Sequence, residues 1–187
     1  MDKKVIIINA PPRSGKDYLG QALSQRLNNS VVVKFAQYLK EATHRLYGFV
    51  GREHDFYEEV KDESTEDFYG LTPREAYIAV SEQYFKPIHN SDFFGKVLAQ
   101  RIVDSPYQIH IVTDGGFIEE VCPLVDQLGY ENVLILHLYR ENTSFEKDSR
   151  RYITLNKVKT VEIKNTEDQF ISDIDQCIVP SIKEWMK

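Results

Sequence analysis

The stretch that decides the fold lies near the N-terminus, where residues 5–17 have the sequence VIIINAPPRSGKD. Its first four residues are apolar and β-branched, which is typical of a strand buried on both faces of a parallel sheet. A turn with two prolines and a glycine follows, and from Lys16 to Leu27 apolar residues recur at helical spacing. This order of strand, tight loop and helix opens a βαβ unit and predicts an α/β fold.

The same alternation continues along the chain. Strands separated by helices predict a three-layer fold with an open, mostly parallel sheet, the first strand at its centre and helices on both faces. Thr72 with Glu75, and Thr166 with Gln169, fit capping boxes at the starts of two helices. The further predicted strands are 31–35, 108–113, 132–138 and about 161–163, and the further helices are 36–46, 73–85, 92–103, 118–128 and 166–185.

Residues 48–70 differ from the rest, because they are crowded with charges and aromatics and lack a strong apolar period. We expect this segment to be exposed and mobile. Its aromatics could stack on a base, although aromatics at such spacings usually pack a small core. These aromatics are Phe49, Phe56, Tyr57, Phe68 and Tyr69, and Tyr47 lies just before the segment.

Composition and charge exclude several classes of protein. The chain has 187 residues, 42% of them hydrophobic, which suits a single domain over 1–187 with one substantial core. Its 23 basic and 29 acidic residues give a net charge of −6, which argues against binding duplex nucleic acid or an anionic membrane through the overall field. Cys122 and Cys177 lie far apart, so we expect no disulfide framework and a cytoplasmic location. No apolar run approaches the roughly 18 to 20 residues of a membrane span.

The loop at residues 9–17 matches the phosphate-binding pattern G-x-x-x-x-G-K-[ST] in position and length. Ala10 stands at the first glycine, and Asp17 stands where a hydroxyl normally reaches Mg²⁺. Backbone N–H groups from Arg13 onward can surround an anion at the helix N-terminus, and Lys16 can bridge terminal phosphates. The alternative is a turn with a solvated lysine, but the preceding buried strand and the following helix favour nucleotide binding.

Asp114 ends a buried strand, where an acidic residue can assist Mg²⁺ or orient a substrate. Alternatively, Asp114 caps the next helix or shapes the turn at Gly115 and Gly116. We favour the functional role, because two glycines let a ligand approach the backbone closely.

A polar segment at residues 141–149 follows the strand predicted at 132–138, and it is flanked by Arg140, Arg150 and Arg151. Guanidinium groups suit the charge that spreads over a transferring phosphoryl group, so Arg150 or Arg151 could close over the phosphates as part of a lid. An ordinary charged surface is an equal alternative, since Glu146, Lys147 and Asp148 are interleaved with the arginines.

Three further cations could hold the phosphate of an acceptor. They are Lys40, Arg74 and Lys96. Each also fits a solvated surface charge. The five histidines show no metal-ligand spacing and are expected to be structural.

Taken in order, these features resemble the bacteriophage deoxynucleoside monophosphate kinases, which are P-loop kinases of the nucleoside monophosphate kinase class. The resemblance covers residues 4–165, and the loop of that family commonly has Ser-Gly-Lys-Asp, as at residues 14–17 here. Animal phosphomevalonate kinases look like relatives, with a Leu-Lys-Glu segment similar to residues 39–41. The chain departs from the phage pattern at Gly116 and Lys96, where arginines are expected, and at Phe94, where tryptophan is expected.

The resemblance implies a P-loop kinase that uses ATP and Mg²⁺ to phosphorylate a deoxynucleoside monophosphate. It implies an acceptor-binding insertion at about 40–104, a lid at about 140–159 and a location in the host cytoplasm if the chain is phage-encoded; a homodimer is a possible assembly. A phosphomevalonate-like acceptor, a non-catalytic nucleotide-binding module and a small ATPase acting through a partner are the alternatives.

The implied site residues fall into four groups. The catalytic group is Lys16, Arg150, Arg151 and Asp114, and the ATP-binding group is Pro12, Arg13, Ser14, Gly15, Lys16, Asp17 and, near the adenine, Asn165. The acceptor group is Lys40, Arg74, Lys96, Asp114 and Gly116, and the metal group is Asp17 and Asp114, acting directly or through water.

Overall fold

The computed structural model describes residues 2–48, 54–146, 148–166 and 168–187. Its centre is a five-stranded sheet in which every neighbouring pair of strands is parallel, with the order β2-β3-β1-β4-β5. The prediction that the first strand is central is confirmed. The strands are β1 Lys4–Asn9, β2 Ser30–Val33, β3 Ile109–Gly115, β4 Val133–Arg140 and β5 Lys159–Asn165.

Helices connect the strands and cover both faces of the sheet. A π-helical turn, Ser81–Phe85, joins α4 to α5, and a second, Ile174–Ile178, joins α8 to α9. In the described part of the chain, no helix is long and apolar enough to cross a membrane. The helices are α1 Lys16–Arg26, α2 Ala36–Leu46, α3 His54–Glu59, α4 Pro73–Val80, α5 Lys86–His89, α6 Phe93–Asp104, α7 Ile118–Leu128, α8 Phe170–Asp173 and α9 Val179–Trp185.

The alternation of side chains along β1 builds two cores, one on each face of the sheet. Ile6 and Ile8 face the core shared with α1, α8 and α9, while Val5 and Ile7 face the core shared with α6 and α7. All four side chains are fully buried. Burial of each contributes about 1.5–3 kcal/mol. The β-branched run therefore fixes β1 as the middle of three layers.

The segment after α2 carries its own small core. Tyr57 and Phe68 are fully buried and pack with Ala76 and Tyr77 of α4. The expectation that residues 48–70 are exposed agrees with Gly48 and with most of residues 56–70, but it is wrong for Tyr57 and Phe68, which form a small core as in the alternative. Residues 49–53 lie outside the described residues, and the mobility of the segment stays a prediction. Aromatic contacts between segments far apart in sequence supply the burial, which an apolar period cannot reveal.

The two predicted capping boxes have different outcomes. At α4, the Glu75 N–H donates to Thr72 Oγ1 (3.1 Å) and the Thr72 N–H donates to Glu75 Oε2 (2.9 Å), which confirms the first. The second is wrong, because α8 begins only at Phe170. The preceding strand β5 extends to Asn165, beyond the short strand expected at 161–163.

Candidate active site

The loop between β1 and α1 opens toward the carboxyl ends of the strands. Arg13 (φ 65°) and Gly15 (φ 93°) both adopt the left-handed region, and Ser14 Oγ closes the turn by donating to the Pro11 carbonyl (2.9 Å). Among the described residues, nothing accepts a hydrogen bond from the N–H groups of residues 13–15. Free N–H groups beside a helix N-terminus are suited to binding phosphate oxygens.

Two side chains hold this loop from outside. Asn165 Nδ2, at the end of β5, donates to the Ser14 carbonyl (2.9 Å), and Arg140 Nη1, at the end of β4, donates to the Arg13 carbonyl (3.0 Å). A Cβ at Gly15 would lie 2.7 Å from Asn165 Nδ2, so both the space and the φ angle require glycine. Asn165 thus braces the loop, and its contact with adenine stays a prediction.

Lys16 begins α1 with its side chain only 15% exposed. Burial lowers its pKa, and the charges of Arg150 and Lys34 act in the same direction, while Asp17 opposes them. The ammonium group lies 3.8 Å from Asp17 Oδ2, and the charges of Arg150 and Lys34 also reach it, so two further cations act at the start of α1.

Asp17 is held by two neighbours. Its Oδ1 lies 3.1 Å from Lys34 Nζ and accepts a hydrogen bond from Thr113 Oγ1 (3.1 Å). Burial raises the pKa of Asp17, but Lys34, Lys16 and Thr113 outweigh it, so the pKa lies below its ordinary value. Lys34 was missed in the sequence, where a single lysine after a strand has no motif to mark it.

Asp114 caps a helix, although not the helix that follows it. Its two carboxylate oxygens accept hydrogen bonds from the N–H groups of Phe35 (2.9 Å) and Ala36 (3.0 Å), where α2 begins. Asp114 therefore does cap a helix, as the alternative expected, but the helix is α2 and not α7. Burial raises the pKa of Asp114, while these two N–H groups oppose the shift.

Gly116 makes room for Arg150. A Cβ at Gly116 would lie 2.4 Å from Arg150 Cδ and 2.7 Å from its Cβ. Arg150 is mostly buried and is paired with Asp148, whereas the Arg151 side chain is exposed and has no hydrogen bond or ion pair within the described ranges. Closure of Arg150 or Arg151 over the phosphates therefore stays a prediction.

The three predicted acceptor cations each have a carboxylate partner. Lys40 is paired with Glu58, Arg74 Nε lies 2.6 Å from Asp62 Oδ1, and Lys96 Nζ lies 2.8 Å from Asp92 Oδ2.

Two of these cations share a neighbourhood. Hydrogen bonding to Asp62 raises the pKa of Arg74, and the charge of Glu58 adds to this effect, so Lys40 and Arg74 both lie near Glu58. The charge of Arg150 also reaches Arg74. Lys96 is 58% exposed, and no contact in the described part of the chain links it to the other predicted site residues.

Glu120, in the first turn of α7, is a second residue that the sequence analysis missed. Burial raises its pKa to about 8, and the charge of Asp114 adds to this effect, while Lys86 and Arg150 oppose it. Acidic residues are common in a first helical turn, so its spacing gave no signal. Within the described residues, no group of three or more His, Cys, Asp or Glu side chains is arranged to hold a metal ion.

Comparison with known proteins supports the fold. No protein-family model matches this sequence, and no curated protein matches it. A gluconokinase from Sinorhizobium meliloti is similar in structure, with a TM-score of 0.51 and 10% identity, covering 98% of this chain and 95% of that one. A sugar kinase from Janibacter sp. has a TM-score of 0.50 and 9% identity, covering 98% and 94% of the two chains. The chain therefore has the three-layer fold of the P-loop kinases, as predicted.

Proposed function

We propose that this chain transfers the γ-phosphoryl group of ATP to the phosphate of a deoxynucleoside monophosphate, giving ADP and the diphosphate. The observation that carries the proposal is the loop at residues 10–15, where the N–H groups of residues 13–15 have no partner among the described residues and lie next to Lys16. Such a loop binds terminal phosphates, and phosphoryl transfer needs positioning and charge stabilisation rather than a nucleophilic side chain.

On the donor side, residues 12–17 surround the phosphates and Lys16 contacts the terminal ones. Arg150 and Arg151 neutralise the charge that develops on the transferring group and exclude water that would hydrolyse ATP. Lys34 is a further cation at the same end of the sheet, 3.1 Å from Asp17.

The residues near the loop fit Mg²⁺. Asp17 offers an ionised carboxylate that is 60% exposed, and carboxylate oxygens together with water are the ligands that Mg²⁺ prefers beside phosphates. Asp17 would hold the ion directly or through water, and Asp114 would support it through water. A bound Mg²⁺ would neutralise part of the charge of the phosphates.

On the acceptor side, Lys40 and Arg74 bind the monophosphate, and Gly116 and Asp114 border it. Lys96 is the least supported of the predicted acceptor contacts, because of its exposure. Both Lys40 and Arg74 are paired with carboxylates in this structure. We propose that the acceptor phosphate replaces those carboxylates. The insertion at about 40–104, the lid at about 140–159, a homodimer and a cytoplasmic location also remain proposals.

The test is phosphorylation of each of the four common deoxynucleoside monophosphates by ATP and Mg²⁺, followed by chromatography of the diphosphate products. Lys16→Ala should lower the rate about 100-fold or more, since a charge-assisted contact in the transition state contributes about 3 kcal/mol. Lys183→Ala, at an exposed lysine of α9, is the matched control and should keep the rate. If ATP binds and no monophosphate reacts, the acceptor is wrong, and phosphomevalonate is tried next. Without transfer to any acceptor, ATP binding alone would favour the non-catalytic module, and ADP release alone would favour the ATPase.

A hydroxyl acceptor is a second candidate, because Glu120 could take the proton of an alcohol. A carboxyl with a pKa of about 8 is ionised above that pH and can then act as a general base. Gluconate is one such acceptor, since a structural neighbour is a gluconokinase. Turnover of gluconate that is lost in Glu120→Gln, with no turnover of any monophosphate, would favour this candidate.

A further inference from the structure

A single carboxylate holds the Arg150 side chain in one direction. Its Nε donates to Asp148 Oδ1 (2.9 Å) and its Nη2 donates to Asp148 Oδ2 (2.6 Å). The Arg150 N–H also donates to Asp148 Oδ1 (2.9 Å). Because one carboxylate binds both the backbone and the guanidinium of the same residue, the direction of the side chain is set locally.

The rest of the arginine is fixed against the core. Its stem occupies the space above Gly116, and the next N–H, of Arg151, donates to the Gly116 carbonyl (3.3 Å). The buried side chain of Asn9, at the end of β1, donates to the Arg151 carbonyl (3.0 Å) and accepts from the Ile153 N–H (2.7 Å). Residues 150–153 are thus attached to the ends of β1 and β3.

The fixed guanidinium keeps free hydrogen-bond donors. The pair with Asp148 uses Nε and one N–H of Nη2, and no other described residue accepts from the guanidinium, so both N–H groups of Nη1 and the second of Nη2 remain. The charge of Arg150 reaches Lys16 on the donor side and Asp114 on the other. A phosphate bound beside Lys16 would therefore lie within the field of this guanidinium.

We propose that Asp148 is a positioning residue, which holds the Arg150 guanidinium ready for the terminal phosphate of the donor before the nucleotide binds. The inference rests on the proposed function. It differs from lid closure, because it concerns how the guanidinium is oriented and not a movement of the segment that carries it.

An ordinary surface ion pair would have different properties. The Arg26–Asp175 pair has the same two-contact geometry, with Nε–Oδ1 at 2.5 Å and Nη2–Oδ2 at 3.2 Å. However, Asp175 is 53% exposed and Asp148 is 15% exposed. Exposed pairs contribute little, so Asp175→Asn is a matched control for Asp148→Asn.

The experiment measures the affinity of the full chain for the unreactive β,γ-imido analogue of ATP with Mg²⁺, by calorimetry. We expect Asp148→Asn to weaken binding about 10-fold, as for the loss of one oriented charged contact, and Asp175→Asn to leave it unchanged. Arg150→Met, which keeps the apolar stem above Gly116, should weaken binding at least as much. In the Arg150→Met background, Asp148→Asn should have no further effect, because the residue that it positions is gone.

Several results would overturn the inference. Unchanged affinity in Asp148→Asn would mean that Asp148 does not orient Arg150, and tighter binding would mean that it competes with the phosphate. Additive effects of the two substitutions, with a lowered melting temperature, would indicate a structural role. Failure of the proposed function would appear in other measurements. Lys16→Ala would leave the affinity for the analogue unchanged, or no acceptor would be phosphorylated.

Discussion

Gly116 shapes the candidate site through the side chain that it lacks. The kinases that the sequence resembles are expected to have an arginine at this position, whereas here the stem of Arg150 fills the same space. The Gly116 backbone has no positive φ, so the requirement for glycine is one of space alone. A guanidinium thus reaches the end of β3 from another segment of the chain.

Gly116→Ala should therefore displace Arg150. The added methyl would lie 2.4 Å from Arg150 Cδ, and such overpacking costs about 1–3 kcal/mol. We expect a lower free energy of unfolding in denaturant titrations and weaker binding of the ATP analogue. Most of the lost stability should return in Gly116→Ala/Arg150→Gly, in which the clashing Cβ, Cγ and Cδ of residue 150 are all absent. An equal loss in both variants would show that the cost lies in the backbone.

Strand β3 connects the two sides of the site. It lies between β2 and β1, so its end meets both the phosphate loop and the start of α2. Thr113 contacts Asp17 on the loop, and Asp114 caps α2. The same strand carries His110, which is 1% exposed and whose two ring nitrogens have no partner in the described ranges.

His110 should make the stability of the protein depend on pH. Burial lowers its pKa to about 4, and the charge of Lys3 adds to this effect, against an ordinary 6.5 when unfolded. Between these values the unfolded chain binds more protons, so stability is lost as the pH falls from 6.5 to 4, by at most about 1.4 kcal/mol per unit. His110→Val should remove this contribution to the dependence of stability on pH, as measured by melting curves at several pH values. His89→Gln, on the surface, should keep it. Equal slopes in wild type and His110→Val would contradict the assignment.

The sequence predicts many of the helices and strands well, because their signals lie in neighbouring residues. The β-branched run of β1, the capping box of α4 and the span Ile118–Leu128 of α7 agree with the structure. The small core around Tyr57 and Phe68 depends on contacts across the chain, and no periodicity marks it.

The candidate site divides in the same way. Its phosphate loop is a continuous motif, while Lys34 and Glu120 are single charges. They join the site only because the strand order brings their elements to one edge of the sheet. Patterns among neighbouring residues in the sequence therefore do not reveal these two residues.

The chain as a whole is acidic, yet cations surround the phosphate loop. The net charge is −6, and Lys16, Lys34 and Arg150 lie close enough to act on one another or on shared carboxylates. Glu120 is the exception to this pattern, since its carboxyl lies near Asp114 with a raised pKa. A partly buried acid of this kind opposes folding when it is ionised, whatever its role toward a substrate.

Glu120 should lower the stability of the protein in alkaline solution. Its pKa is about 8 when folded against an ordinary 4.5, so the folded chain binds more protons, and stability is lost as the pH rises through this range. Above pH 6.5 His110 no longer contributes, which leaves a window where Glu120 acts without it. Glu120→Gln mimics the protonated acid, so its melting temperature should rise relative to wild type between pH 6.5 and 9. Glu119→Gln, an exposed neighbour in the same helical turn, is the control and should follow wild type. A constant difference between Glu120→Gln and wild type across this range would mean that the folded chain already holds Glu120 ionised.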